Sequence, residues 1–194
     1  MELLTAIKNY QPFNEQEALD KELILQQLTS NDQVFLRQSK LAHITVSAWI
    51  ISPDYQKVLM AYHNIYQSWA WLGGHADGET DLKHVILKEI AEESGLTAVE
   101  FVTPSLFSLE VLTVDGHQKH GHYVSSHLHL NVTYLLQASD DLPLRIKADE
   151  NSQVAWLKLS ELKQKVSEPW FYDHIYSKLI TKVKTLCWWL GKCL

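Results

Sequence analysis

One helix in this 194-residue chain carries a core stripe and an acid cluster on the same side, and that pairing narrows the folds open to it. Residues 73–96 read GGHADGETDLKHVILKEIAEESGL. Paired glycines lead into a helical pattern expected from near Asp81 to Gly95, a residue suited to end a helix in the left-handed conformation. At about 100° per residue, Glu89, Glu92 and Glu93 fall within an arc of roughly 100°. Leu82, Val85 and Ile86 project from that side too. A solvated helix separates its acids from its apolar stripe. Here the acids continue the stripe, which predicts a position at the rim of the core. Neighbouring carboxylates repel, and burial raises the cost of their charge. A bound cation compensates, and oxygen-only ligands favour a hard divalent ion, Mg²⁺ or Mn²⁺.

The formal net charge is -6, with no lysine or arginine run, which argues against a dedicated nucleic-acid binder. It leaves room for a nucleotide substrate, because a metal neutralises phosphate locally. Two cysteines, Cys187 and Cys193, supply neither a disulfide framework nor a zinc spacing. The first residues lack a basic region followed by an apolar core, so no signal peptide is read. No apolar run reaches the roughly 18 residues that span a membrane. The cytoplasm is the expected compartment.

Residues 2–30 read as helical, with Asn14 and Glu17 spaced like a capping pair. Strand patterns follow at 43–50 and 57–63, then a short aromatic one at Trp69–Leu72 that runs into Gly73 and Gly74. Further strands are expected within 97–114, a turn at 115–121, and alternation over 122–136. There His127, His129, Asn131 and Thr133 share one face. Residues 138–151 read as a polar loop, 153–157 as a last strand, and 159–165 and 170–190 as helices. Without a repeat or a low-complexity linker, residues 1–194 are expected to form one domain. It would comprise a helical N-terminal extension over 1–38 and a core with C-terminal helices over 39–194.

The central segment resembles the Nudix box: G, five residues, E, seven residues, then R-E-apolar-x-E-E-x-G-apolar. Lys88-Glu89-Ile90-Ala91-Glu92-Glu93-Ser94-Gly95-Leu96 matches the second half at every fixed position but one, at the family's spacing from Gly74. Lys88 stands where the family has arginine, which keeps the charge and loses the bidentate fork. In the frame of Gly74, Thr80 takes the early glutamate position and Glu79 comes one residue sooner. The resemblance implies an α/β fold, an α/β/α sandwich with a mixed sheet, plus the N-terminal helical extension and a C-terminal helix. It also implies metal-dependent hydrolysis of a pyrophosphate bond in a nucleoside diphosphate linked to another group. Glu89, Glu92 and Glu93 become metal ligands for Mg²⁺ or Mn²⁺, with Glu89 also a candidate base and the Gly73 carbonyl a further ligand. A loop acid ahead of the last strand is expected to join them: Glu150, with Asp149 second. A non-catalytic nucleotide-sensing module is the alternative reading, motivated by Lys88 and Glu79.

Other residues carry weaker signals. Trp69 and Trp71 flank one residue and are expected on one face, packed in the core or stacked on a nucleotide base. Lys88, His127 and His129 are candidates to line the substrate cleft. His117, His120, His122, His127 and His129 have poor zinc spacing, so zinc is not expected. The apolar Cys187–Leu190 stretch suggests packing on the N-terminal helix or a homodimer contact, with a membrane-surface foot as the third reading.

Overall fold

The computed structural model describes residues 2–65, 67–119, 121–189 and 191. Its elements in chain order are α1 (Glu2–Asn9), α2 (Glu15–Ser30), β1 (Ala42–Ile51), β2 (Lys57–His63), β3 (Ser68–Ala70), β4 (Leu72–His75), α3 (Leu82–Ser94), β5 (Glu100–Phe101) and β6 (Ser108–Val114). Then come β7 (His117–Lys119), β8 (His122–Val124), β9 (His127–Gln137), β10 (Asn151–Lys158) and α4 (Leu162–Lys165). A last helical stretch joins α5 (Pro169–Phe171), a π turn over Tyr172–Tyr176 and α6 (Ser177–Trp189). Eight strands hydrogen-bond in the order β10-β2-β1-β9-β5, with β3 on β2, β4 on β1 and β6 on β9. The architecture is the α/β/α sandwich with a mixed sheet. Among the described residues, no helix is long and apolar enough to cross a membrane.

The chain forms two compact units, and β1, α3 and β9 each contribute residues to both. The first holds residues 1–47, 73–86 and 104–134. Its N-terminal helical stretch comprises two helices: α1 ends at Asn9 and α2 begins at Glu15. Pro12 lies in the break, where it offers no N–H to a helix. Asn14 caps α2 as its spacing predicts, accepting from Glu17 N at 2.9 Å. The Glu17 side chain does not reach back to Asn14. Fully buried, it accepts from Phe13 N at 2.8 Å, Tyr10 OH at 2.6 Å and Ser108 Oγ at 2.8 Å. Burial and the Glu17 charge push the Tyr10 hydroxyl far up.

Ser108 lies on β6, and Glu110, two residues on along that strand, is also fully buried. Glu110 accepts from Asn131 Nδ2 at 3.0 Å and Thr133 Oγ1 at 2.9 Å. Asn131 Oδ1 in turn accepts from Thr45 and Ser47, each at 3.0 Å. The polar faces of β1 and β9 thus bond to one another within the core. The expected turn at 115–121 is instead mostly hairpin, with His117 paired to Val124 and Lys119 to His122.

The second unit holds residues 48–72, 87–103 and 135–194. β10 pairs antiparallel with β2 from Lys158↔Lys57 to Asn151↔His63, with a bulge between Asn151 and Gln153. Trp49, fully buried, stacks on Tyr176 at 5.4 Å, which anchors the C-terminal helical stretch. Cys187 is buried and disulfide-bonded, while Leu190 and Cys193 lie outside the described residues. Trp188 and Trp189 are exposed.

Candidate metal and substrate site

The loop ahead of α3 is shaped by backbone demands. A side chain at Gly73 would meet Val46 O at 2.4 Å and Ser47 Cα at 2.9 Å, so glycine alone fits against β1. Glu79 accepts from Thr80 N at 2.7 Å and Asp81 N at 2.9 Å, bonds that hold its carboxyl below the usual carboxylate range. Asp81 accepts from Lys83 N and His84 N at 3.1 and 3.2 Å, capping the first turn of α3. Glu79 is therefore engaged with the approach to the helix. At the other end Gly95 takes φ +78°, the left-handed stop its position predicts.

The last two turns of α3 form the acid cluster. Glu93 is buried, Glu89 half-buried and Glu92 exposed, which is the rim position the sequence pattern implies. The 145–151 loop docks beside them. Arg145 N donates to Ser94 O at 2.9 Å, and Asn151 Nδ2 reaches Glu93 O at 3.4 Å. Asn151 Oδ1 accepts from Lys147 N at 3.2 Å, turning the loop back on itself. Lys147 Nζ lies 3.4 Å from Glu92 Oε2 and 3.0 Å from Glu150 Oε2. Glu150 is thereby joined to the helix acids through one ammonium group. Asp149 is exposed. Burial raises the Glu89 carboxyl, with Lys147 opposing and Glu92 and Glu150 reinforcing the rise. Desolvation works to lower the Lys147 ammonium, but Glu150, Glu89 and Glu92 raise it on balance. Lys147 was not singled out from sequence, although it opens the loop segment that held Glu150.

Lys88 lies on the exposed side of α3 and meets Glu92 through a single 3.6 Å contact. Trp69 and Trp71 are both half-buried and pack against different aromatic partners. Trp71 falls in the break between β3 and β4, where strand alternation lapses. Trp69 packs edge-on to Tyr62 at 5.6 Å. Trp71 packs against Phe171 at 5.9 Å and Tyr176 at 5.6 Å, and its backbone N–H donates to the Tyr176 hydroxyl at 3.3 Å.

The histidines separate into two groups. His117 and His122 belong to the β7–β8 hairpin, and His120 lies outside the described residues. His127 and His129 meet His43 and His75, two residues sequence reasoning missed. Among the described residues, the group of three ligand-type side chains gathered within 4.8 Å is His43, His75 and His129; the glutamates are spread more widely. Burial pushes His129 down to about 2 and lowers His43, so both rings stay neutral.

The NUDIX domain model matches residues 41–179. Among solved structures the chain is similar to a NUDIX-family hydrolase from Clostridium perfringens, at 19% identity and a TM-score of 0.51, covering 74% of this chain and 97% of that one. It is similar to the NUDIX domain of Shewanella oneidensis NrtR, solved with ADP ribose, at 19% identity and a TM-score of 0.51, covering 83% and 96%. The dihydroneopterin triphosphate pyrophosphohydrolase of E. coli gives 12% identity and a TM-score of 0.54, covering 73% and 95%. These likenesses speak to the fold. No curated protein matches the chain in sequence.

Proposed function

The chain belongs to the Nudix family of pyrophosphohydrolases, and from that premise we propose that it uses Mg²⁺ or Mn²⁺ to cleave a nucleoside diphosphate linked to another group. The observation that carries this reading is the acid cluster on α3 with the 145–151 loop docked onto it. Its donors suit a hard divalent ion. Glu89, Glu92, Glu93 and Glu150 offer oxygen alone, and burial, reinforced by Glu92 and Glu150, raises the Glu89 carboxyl against the pull of Lys147. Glu89, Glu92 and Glu93 are the proposed ligands. The ion, when bound, would offset phosphate charge and make water more acidic.

The chain's own groups account for the remainder. A water oxygen forms a bond to one phosphorus of the anhydride, the bridging P–O bond breaks, and the released phosphate leaves with that electron pair. Glu89 takes the proton of the attacking water, a task suited to a carboxyl raised above its usual range. Lys147 holds Glu150 and Glu92 in place through its two contacts. Gly73 is required by its approach to β1 whether or not its carbonyl also serves as a ligand. Trp69 is the better candidate for base stacking, since Trp71 is engaged by Phe171 and Tyr176.

The test is a turnover screen across nucleotide sugars, dinucleoside polyphosphates and nucleoside triphosphates with each metal. Release of a phosphate-bearing product by the wild type, lost in Glu92→Gln and Glu93→Gln, is expected. Tight nucleotide binding without turnover in any metal would favour the nucleotide-sensing alternative instead.

A further inference from the structure

Four imidazoles converge in the first unit from three strands: His43 on β1, His75 on β4, and His127 and His129 on β9. Both β4 and β9 hydrogen-bond to β1, and just past the strand ends Ala76 N donates to Ile44 O and Leu128 N to Leu41 O. Neighbouring strands lie about 4.8 Å apart, and residues two apart on a strand share a face. The rings accordingly stand 5.1 Å (His43–His75), 4.9 Å (His43–His127), 4.8 Å (His75–His129) and 5.1 Å (His127–His129) apart at their centroids.

The protons of these rings do not satisfy the cluster. His43 Nδ1 faces Ser39 O at 3.2 Å, and His127 Nδ1 faces Ser125 O at 2.9 Å. A carbonyl only accepts, so both Nδ1 atoms carry the proton, and in the neutral ring each Nε2 presents a lone pair. His43 Nε2 is buried without a hydrogen-bond partner, on a residue only 4% exposed. His129 Nε2 lies 3.2 Å from His75 Nε2 and 3.3 Å from His127 Nε2. Without a proton on His129 Nε2, its lone pair faces that of His127. With one, that single proton serves one neighbour, and His43 Nε2 still has none.

We propose that His43, His75 and His129 bind a divalent transition-metal ion of the Zn²⁺ class, with His127 in reach of the fourth position. Tetrahedral zinc with Zn–N bonds of about 2.0–2.1 Å sets its nitrogens roughly 3.3–3.4 Å apart. The two Nε2 separations already match that edge. The carbonyls of Ser39 and Ser125 supply the outer bonds that fix Nε2 as the coordinating atom. Imidazole donors select zinc, copper or nickel over magnesium, so this centre would differ in ion from the carboxylate cluster. It stands on its own geometry and does not depend on the proposed hydrolysis.

The experiment uses the full chain, stripped with chelator and titrated with Co²⁺ and then Zn²⁺. One equivalent of Co²⁺ is expected to give the intense visible absorption of a tetrahedral site, displaced by Zn²⁺. His75→Asn and His129→Asn should each weaken binding more than about 100-fold, while Glu92→Gln keeps it. X-ray absorption on the zinc-loaded wild type should show a nitrogen-rich shell at about 2.0 Å, a readout independent of whether the variants fold. No stoichiometric uptake at micromolar metal, uptake that survives both histidine variants, or an oxygen-dominated shell would overturn the proposal.

Discussion

The two titratable clusters of this chain solve opposite problems. On α3, like-charged carboxylates are crowded at a half-wet rim and held by one lysine, Lys147. Among β1, β4 and β9, imidazole rings are crowded together, and His43 Nε2 is buried without a hydrogen-bond partner. The first cluster offers oxygen donors and the second imidazole nitrogens. Donor chemistry therefore assigns them to different ions, although each is a group of ligand-type side chains.

The sharpest way to break that contrast is at the helix. Glu92→Gln and Glu93→Gln should each lower kcat/KM by roughly 100- to 1,000-fold, as loss of one preorganised charge-stabilising group does. Steady-state kinetics against Co²⁺ uptake would show whether the two clusters are separable. Equal loss of both readouts in Glu93→Gln would merge them.

Acidification should act on the clusters with opposite sign. His129, normally 6.5, is held near 2 in the fold. The unfolded chain binds that proton first, so metal-free protein loses stability as pH falls below 6.5, by up to about 1.4 kcal/mol per pH unit. Glu89 is raised above its ordinary value, so the folded chain takes up its proton first. Its contribution to stability recovers as pH falls through the raised value. Chemical denaturation of wild type and His129→Asn between pH 7 and 5 separates them; an equal slope in both would remove His129 as the cause.

Two smaller effects follow. Glu17→Ala removes a fully buried carboxylate that accepts from Tyr10 OH, Phe13 N and Ser108 Oγ and should cost about 2–3 kcal/mol, read as a fall in Tm of roughly 4–12 °C. Lys88→Arg, at an exposed position with one 3.6 Å contact, should change kcat/KM by less than about fivefold, the size of a surface ion pair.

What was legible in the sequence follows from range. The start of α3, its stop at Gly95, the rim position of Glu89, Glu92 and Glu93, and the Asn14 cap all depend on residues a few positions apart, where periodicity carries the information. The β7–β8 hairpin hid behind a glycine-rich, polar composition that reads as a turn. His43 and His75 could not be linked to His127 and His129 by spacing, because strand pairing alone brings them together. The one local sign was the alternation of His127, His129, Asn131 and Thr133, a polar strand face too regular for a solvated loop.

The carboxylate of Glu17 has a practical consequence for anyone trimming this protein. The family match begins at residue 41, which makes α1 and α2 look dispensable. Yet α2 places Glu17 against Ser108, beside a network that runs through Glu110 and Asn131 to Thr45 and Ser47. A chain cut at that boundary would open the β6 face to water and replace a fixed set of internal partners with solvent. Its poor yield or low melting point would then be misread as weakness of the catalytic fold. The first 38 residues behave as a wall of the first unit, so the cut belongs upstream of α1.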